Sequence, residues 1–208
     1  MCYSIENKEN GFTLIELLIA MTIGLIILAA LSSTFLMQRK AYDVQEQIVE
    51  MVQNARAAMD MMTREIRMAG YDPTGAVFDG IPYNVDPSTI DVYADLNDIP
   101  GIDNPTGSCE HITYSYDGAN NQIDRNTNTG GGNKPFAENI QGVSFDYLEA
   151  DGVTKVTTTA DNDKIRQIKI TIIARTTKQD PDYTDPTYGD HYRRYTLTSA
   201  ITPRNLDL

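Results

Sequence analysis

The hydrophobic residues of this chain are concentrated near its beginning. Residues 12–37 read FTLIELLIAMTIGLIILAALSSTFLM, and these 26 residues carry a single charge, at Glu16. At about 1.5 Å per residue, a helix of this length measures about 39 Å, more than the roughly 30 Å of a bilayer's hydrocarbon core. The pattern therefore predicts a transmembrane helix over residues 12–37. A secretory signal peptide cut near residues 29–32 is the alternative, but the apolar run continues past that point without a break.

A second helical pattern follows directly. Residues 38–69 contain neither Gly nor Pro and are rich in helix-forming residues. Apolar side chains recur there every three or four residues, which places them on one face of a helix: Val44, Ile48, Met51, Ala55, Met59, Met62, Ile66 and Ala69. Gly70 and Pro73 are typical of a helix end. The sequence predicts one helix over 12–69, with an amphipathic segment, 38–70, that packs against a folded head.

Residues 71–208 have the pattern of a β-rich globular head. Turns are predicted at 117–120 and 151–152, and loops at 126–133 and 180–190, from their content of Gly, Pro, Asn and Asp. Together with the helix, the segments predict an α+β fold in which an antiparallel sheet buries one face beneath the helix. The predicted strands alternate apolar and polar residues or are enriched in β-branched and aromatic residues: 112–116, 143–149, 153–158, 165–176 and 192–201.

The charge of the chain is strongly acidic and unevenly distributed. Seventeen Lys and Arg against 29 Asp and Glu give a net charge of −12. Residues 71–124 contain ten acidic residues and no Lys or Arg, whereas residues 125–208 contain eleven of each. This balance argues against direct nucleic-acid binding, which relies on basic side chains to neutralise phosphates. The acidic segment is interpreted as a solvated, loop-rich face, with divalent-cation binding and an interface with a basic partner as alternatives.

Motifs for catalysis, cofactors or metals are absent from the sequence. There is no G-x-S-x-G, H-E-x-x-H, P-loop or G-x-G-x-x-G pattern, and the chain has only two Cys and two His. Cys109 and His111 form a catalytic dyad only if the fold brings them together with an orienting group. The sequence therefore predicts a protein that is not an enzyme and has no cofactor or metal site.

Glu16 requires an explanation, because a carboxylate within an apolar span is costly unless it is paired or lies near the interface. No Lys or Arg occurs within residues 12–37. One interpretation is that Glu16 extends to the lipid headgroups at the helix end. In the other, a cut between Gly11 and Phe12 creates an amine on Phe12, and Glu16 of one subunit pairs with that amine on its neighbour. Such a pair would set the axial register of parallel helices.

Residues 11–18, GFTLIELL, resemble the leader junction of type IV prepilins and of type II secretion pseudopilins. The resemblance implies that residues 1–11 are a leader removed by prepilin peptidase between Gly11 and Phe12. It also implies N-methylation of Phe12, and Glu16 as the residue that pairs with Phe12 during assembly. The mature chain would have 197 residues, without Cys2, and Cys109 would be unpaired.

The same resemblance implies a location in the bacterial inner membrane, as a single-pass protein with a cytoplasmic N-terminus, followed by export into a pilus at the cell surface. Charge alone favours the opposite orientation weakly, since Arg39 and Lys40 follow the span. Its implied partners are prepilin peptidase, the inner-membrane assembly platform, membrane lipid before assembly, and other minor and major pilins, which it contacts through the N-terminal helices.

Five segments of the remaining chain are similar to PilW-type minor pilins and, in part, to GspJ-type minor pseudopilins: 60–70, 112–116, 143–152, 165–175 and 193–205. This likeness implies a type IV pilin-like fold and a non-catalytic minor pilin that acts in the initiation or tip complex of a type IV pilus. The alternatives are a minor pseudopilin of a type II secretion system and a binding module at the pilus tip, for adhesion or DNA uptake.

Overall fold

The computed structural model describes residues 11–75, 78–97, 99–102 and 110–206. The chain divides into two compact units, Met1–Gln45 and Glu46–Leu208. The elements in chain order are α1 (Leu14–Met68), β1 (Thr89–Tyr93), β2 (His111–Asp117), β3 (Gln122–Asn126), β4 (Lys134–Glu138), β5 (Ile140–Leu148), a short 3₁₀ helix (Thr159–Lys164), β6 (Gln167–Arg175) and β7 (Arg194–Ile201). The long helix predicted from the sequence is confirmed, two residues shorter at its start and one at its end.

The described part of the first unit consists of the beginning of α1 and the three residues before it. Its large apolar side chains up to Tyr42 are at least half exposed, from Leu18 at 51% to Phe12 at 86%, whereas Val44 is partly buried. By length and composition, α1 is the one helix of the described residues that is apolar enough to cross a membrane. The described part of the first unit is thus an apolar helix segment whose large side chains are mostly exposed.

In the second unit, α1 buries one stripe of side chains. The stripe expected from the sequence is confirmed from Met51 onward, while Ile48 is only partly buried. Ala58 is also buried, although the predicted stripe did not include it. The buried helix residues are Met51, Ala55, Ala58, Met59, Met62 and Ile66.

The strands form two antiparallel sheets rather than the single sheet predicted. The first has the order β1-β2-β3-β4 and the second β5-β6-β7. In β6, the side chains of Ile168, Ile170 and Ile172 are fully buried, as their alternation predicts. The buried faces of both sheets share one hydrophobic core with the stripe of α1. The predicted arrangement of a long helix packed on antiparallel β-structure is therefore confirmed.

The strand predicted at residues 153–158 is wrong. This segment makes only an isolated bridge, between Leu148 and Lys155. Gly152 turns the chain with a φ of 70°, and the carboxylate of Asp151 accepts hydrogen bonds from the amides of Val153 and Thr154. Val153, the apolar residue that opened the predicted strand, is 79% exposed.

Three other parts of the head meet at the end of α1. Gly70 follows the helix with a φ of 75°, and its N–H donates to the carbonyl oxygen of Tyr93 at 2.9 Å. Gly80 lies so close that a Cβ on it would be 2.3 Å from the backbone nitrogen of Gly70. From the far end of the chain, the N–H of Arg204 donates to the carbonyl oxygen of Arg67 at 3.2 Å. The helix end is thus held by backbone contacts.

Candidate functional site

The candidate site is the N-terminal end of α1, where Thr13 and Glu16 bond to each other. The backbone N–H and the hydroxyl of Thr13 donate to Oε2 of Glu16 at 3.0 and 2.9 Å, respectively. In return, the N–H of Glu16 donates to Oγ1 of Thr13 at 3.3 Å. This reciprocal arrangement is a capping box, the helix-starting motif with Ser or Thr followed three residues later by Glu or Gln.

The capping box changes the interpretation of Glu16. The first N–H groups of a helix lack partners within the helix, and its N-terminal end carries a partial positive charge that favours a carboxylate. Glu16 therefore satisfies local donors without a cation, an arrangement that neither sequence interpretation included. The Thr-x-x-Glu spacing of residues 13–16 was the signal that could have revealed it.

The Glu16 carboxylate also lies close to Phe12 of its own chain. Adjacent residues are separated by about 3.8 Å along the backbone, so the nitrogen of Phe12 lies within about 7 Å of Oε2. The other carboxylate oxygen, Oε1, makes no hydrogen bond with any described residue. A positive charge on the Phe12 nitrogen would thus meet a carboxylate that has already been placed at the helix start.

Gly11 and Phe12 precede the helix and are exposed. Neither residue belongs to a helix or strand, and a Cβ on Gly11 would meet no atom within 4 Å. A peptidase needs an accessible peptide bond outside regular structure. The bond between these two residues meets that requirement.

The other residues considered for chemistry are not assembled into a second such site. Cys109 lies outside the described residues, so the dyad with His111 has no structural account. His111 stacks on Tyr93, and its Nε2 lies 3.1 Å from Oδ1 of Asp91. In the described ranges, no group of three or more His, Cys, Asp or Glu side chains could hold a metal ion.

Some carboxylates of the acidic segment accept hydrogen bonds within turns. Asp86 accepts hydrogen bonds from the hydroxyl and N–H of Ser88, which hold the pKa of its carboxyl below the usual range. Asp117 accepts bonds from the side chain and N–H of Asn120, with the same effect on its pKa. These contacts fit a loop-rich face at the turns. Asp95, Glu110 and Asp124 of the same segment are buried, however, so the segment is not solvated throughout.

The predicted loop at 180–190 is held by ion pairs and aromatic contacts. Both oxygens of Asp190 accept from Arg194, at 2.7 and 2.6 Å, and these bonds lower the pKa of Asp190 to about 2. Oδ2 of Asp185 lies 3.1 Å from the same guanidinium, which sits 3.9 Å above the ring of Tyr188. Nearby, Arg193 pairs with Asp180 at 2.8 Å. The loop is therefore ordered by its Arg neighbours.

The chain was compared with protein families, curated proteins and solved structures. No curated protein matches the chain. Among solved structures, it is similar to a type IV-like pilin, TTHA1219 from Thermus thermophilus, with 12% identity over 74% of this chain and 97% of that one and a TM-score of 0.49. Residues 7–32 match the family described as the prokaryotic N-terminal methylation motif. The chain thus carries a prepilin-type methylation motif that spans the Thr13–Glu16 capping box.

Proposed function

We propose that this protein is a minor pilin, a non-catalytic subunit that takes part in the initiation or tip complex of a type IV pilus. The observation that carries the proposal is the coincidence of two features at residues 11–16. The methylation motif covers a segment in which an exposed Gly11–Phe12 bond directly precedes a capped, apolar helix. In this role, the first part of α1 lies in lipid before assembly and among the helices of other pilins afterwards.

The chemistry follows from the end of the helix. Cleavage between Gly11 and Phe12 converts the nitrogen of Phe12 from an amide into an amine, which is a cation after N-methylation. The Glu16 carboxylate then has a cationic partner, either on its own chain or on a neighbouring subunit. Between subunits, the pair gives a defined axial step to contacts that are otherwise apolar and non-directional, and it removes the cost of a lone charge in the core.

Two substitutions of Glu16 separate the charge pair from the helix cap. Gln is accepted in a capping box, so Glu16→Gln keeps the cap but removes the charge, whereas Glu16→Ala removes both. We expect both variants to enter the membrane normally and both to be depleted from purified filaments. As a matched control, Thr13→Val removes the capping hydroxyl and leaves the charge, and we expect it to assemble. If Glu16→Gln assembles like the native chain, Glu16 acts only as a cap.

The mature N-terminus tests the processing step. Mass spectrometry of the protein from its own cells should show a chain of 197 residues that begins with methylated Phe12. A chain that begins at Met1, or after residue 32, would contradict the proposal.

Deletion of the gene distinguishes the two machines that use such subunits. We expect loss of pili with normal protein secretion. Loss of secretion with normal pili would instead assign the chain to a type II secretion pseudopilus.

A further inference from the structure

Each sheet has two outer edge strands, and three of the four are closed, in the sense that other parts of the chain or a proline block their free backbone groups. An exposed edge strand offers unpaired N–H and C=O groups to other strands, and proteins usually block it. On β1, the N–H of Tyr93 donates to Gly80 and its carbonyl oxygen accepts from Gly70, at 2.8 and 2.9 Å. The outer edge of β1 is thus bonded to the chain that surrounds the helix end.

The edges of β5 and β4 are closed in different ways. On β5, the N–H of Phe145 donates to the carbonyl oxygen of Pro87 at 2.8 Å, and the carbonyl oxygen of Tyr147 accepts from Val156 at 2.9 Å. The edge strand β4 has only five residues and includes Pro135, which has no N–H to offer. The side chain of Asn54 on α1 also donates to the carbonyl oxygen of Glu138 at 2.5 Å.

In the part of the chain that the structure describes, the fourth edge, β7, has no strand or loop bonded to it. The N–H of Thr176 donates to the carbonyl oxygen of Arg193, so the backbone groups of residue 193 face β6. Backbone hydrogen bonds alternate along an antiparallel pair. The odd-numbered residues of β7 therefore bond to β6, and the backbone groups of its even-numbered residues face away from β6. Thr196, Thr198 and Ala200 therefore direct their backbone N–H and C=O groups outward. Among the described residues, nothing bonds to these groups.

The composition and partial burial of β7 are suited to an edge strand that pairs with a strand of another chain. The strand has eight residues, RYTLTSAI, with no Gly or Pro and with one charge, at Arg194, which is paired with Asp190. On its core side, Tyr195 and Leu197 pack against the hydrophobic core but remain only partly buried. An added strand would bond to the open backbone groups and would cover these two side chains.

We propose that β7 accepts an extended strand from a different subunit of the same assembly, by β-strand addition. This inference rests on the proposed function, which decides between two occupants. Symmetric pairing of two copies through β7 requires a two-fold axis normal to the sheet. Because α1 packs on the sheet, such an axis makes the α1 helices of the two copies run in opposite directions. Two copies paired in this way would therefore carry residues 46–68 of α1 in opposite directions, which the parallel helices of the proposed assembly do not allow.

The edge also specifies the chemistry of the incoming strand. Three outward-directed residues at alternate positions pair with an extended segment of about five residues. Its side chains beside Tyr195 and Leu197 must be apolar, while those beside the exposed Thr196, Thr198 and Ala200 can be polar. No charge is required, since the outward residues of the open edge are neutral. The partner is therefore an extended segment that alternates apolar and solvent-facing residues and needs no charge for pairing.

Two variants of Thr198 test the pairing. Thr198→Pro removes an N–H that bonds to no described residue, and it also removes the hydroxyl contact of Thr198 with Thr171 at 3.2 Å, which Thr198→Val removes as well. Because proline is tolerated at such edge positions, the thermal unfolding of the purified full chain should be the same for the two variants. Thr198→Val keeps the N–H and serves as the matched control. We would measure hydrogen–deuterium exchange at 196, 198 and 200 in the full chain purified alone in detergent and in complexes isolated by a tag from the cell envelope.

In the envelope complexes, these three amides should exchange at least about tenfold more slowly than in the purified chain. The protection of all three amides should persist in Thr198→Val. In Thr198→Pro, which has no amide hydrogen at 198, the amides at 196 and 200 should lose their protection. Equal exchange in both preparations would overturn the inference. A purified dimer that protects the same amides would also overturn it, because the occupant would then be a second copy. Protection in a chain that never enters filaments would support strand addition but reject the pilus function.

Discussion

Removal of the Arg125 guanidinium should destabilise the head, because it leaves a half-satisfied carboxylate between α1 and the first sheet. Arg125 on β3 donates to Glu65 on α1 through Nη2 at 2.8 Å and through Nε at 3.3 Å. The hydroxyl of Tyr114 on β2 donates to the same carboxylate. Burial, together with the charge of Glu65, raises the pKa of Tyr114, so its hydroxyl remains protonated as a donor.

The magnitude follows from the burial of the pair. Removal of one partner from a fully buried ion pair costs about 3–5 kcal/mol. The side chains of Arg125 and Glu65 are 19% and 18% exposed, so water can partly solvate the remaining charge. We therefore expect Arg125→Met, which keeps most of the apolar volume, to lower the free energy of unfolding by roughly 2–3 kcal/mol. For a unit of this size, that corresponds to a fall in Tm of roughly 5–10 °C.

The assay is urea and thermal unfolding of the full chain in detergent micelles. The chain has 12 Tyr and no Trp, so tyrosine near-ultraviolet circular dichroism reports on the packing of the head. The triple variant E65M/Y114F/R125M removes every polar member of the cluster and should recover to within about 1 kcal/mol of the native chain, since matched apolar groups often replace a buried pair. A loss below about 0.5 kcal/mol for Arg125→Met, or a triple variant as unstable as the single one, would refute the reasoning.

Two further predictions concern acid stability and backbone packing. The pKa of Asp190 falls from 3.8 to about 2 on folding, so the stabilisation from its pair with Arg194 is complete above about pH 4 and is lost as the pH falls towards 2. The Tm of Arg194→Gln should therefore vary less between pH 4 and pH 2 than the Tm of the native chain. If both chains show the same change in Tm, the pairing is contradicted. Gly80→Ala would place a Cβ 2.3 Å from the backbone of Gly70, whereas a Cβ on Gly75 meets nothing within 4 Å and is disfavoured only by a φ of 77°. In urea unfolding, the free energy of unfolding should thus fall clearly more for Gly80→Ala than the roughly 1–2 kcal/mol expected for Gly75→Ala. Equal losses would show that the close approach of Gly80 to Gly70 tolerates a side chain.

The parts of the fold that could be predicted are those with strong periodicity. The apolar run, the stripe of α1 and the alternating isoleucines of β6 each repeat a single pattern over many residues. β1, β3 and β4 were missed because their patterns are short or broken: β3 reads QIDRN, with one apolar residue, and β4 reads KPFAE, with a proline. Proline is acceptable there only because β4 lies at an edge, which the sequence does not reveal.

Residues at the candidate site divide in the same way. Gly11, Phe12 and Glu16 stand out by type and spacing, and their processing and pairing roles stay predictions. The capping box was readable from Thr13 and Glu16, because it is a local motif. In contrast, the open edge of β7 depends on what does not pack beside it, and contacts such as Glu65–Arg125 join residues that are 60 positions apart. Such features appear only when the whole chain is folded.

The backbone contact between Arg204 and Arg67 has a consequence for biosynthesis. Residues 204–206 hold the end of α1, and Leu206 packs on the core that the helix stripe shares with β7. A nascent chain therefore cannot complete its head until these residues have left the ribosome, by which time α1 has long been made. Throughout that interval the methionines of α1 that the folded head buries are uncovered, and exposed apolar surface of this kind favours aggregation.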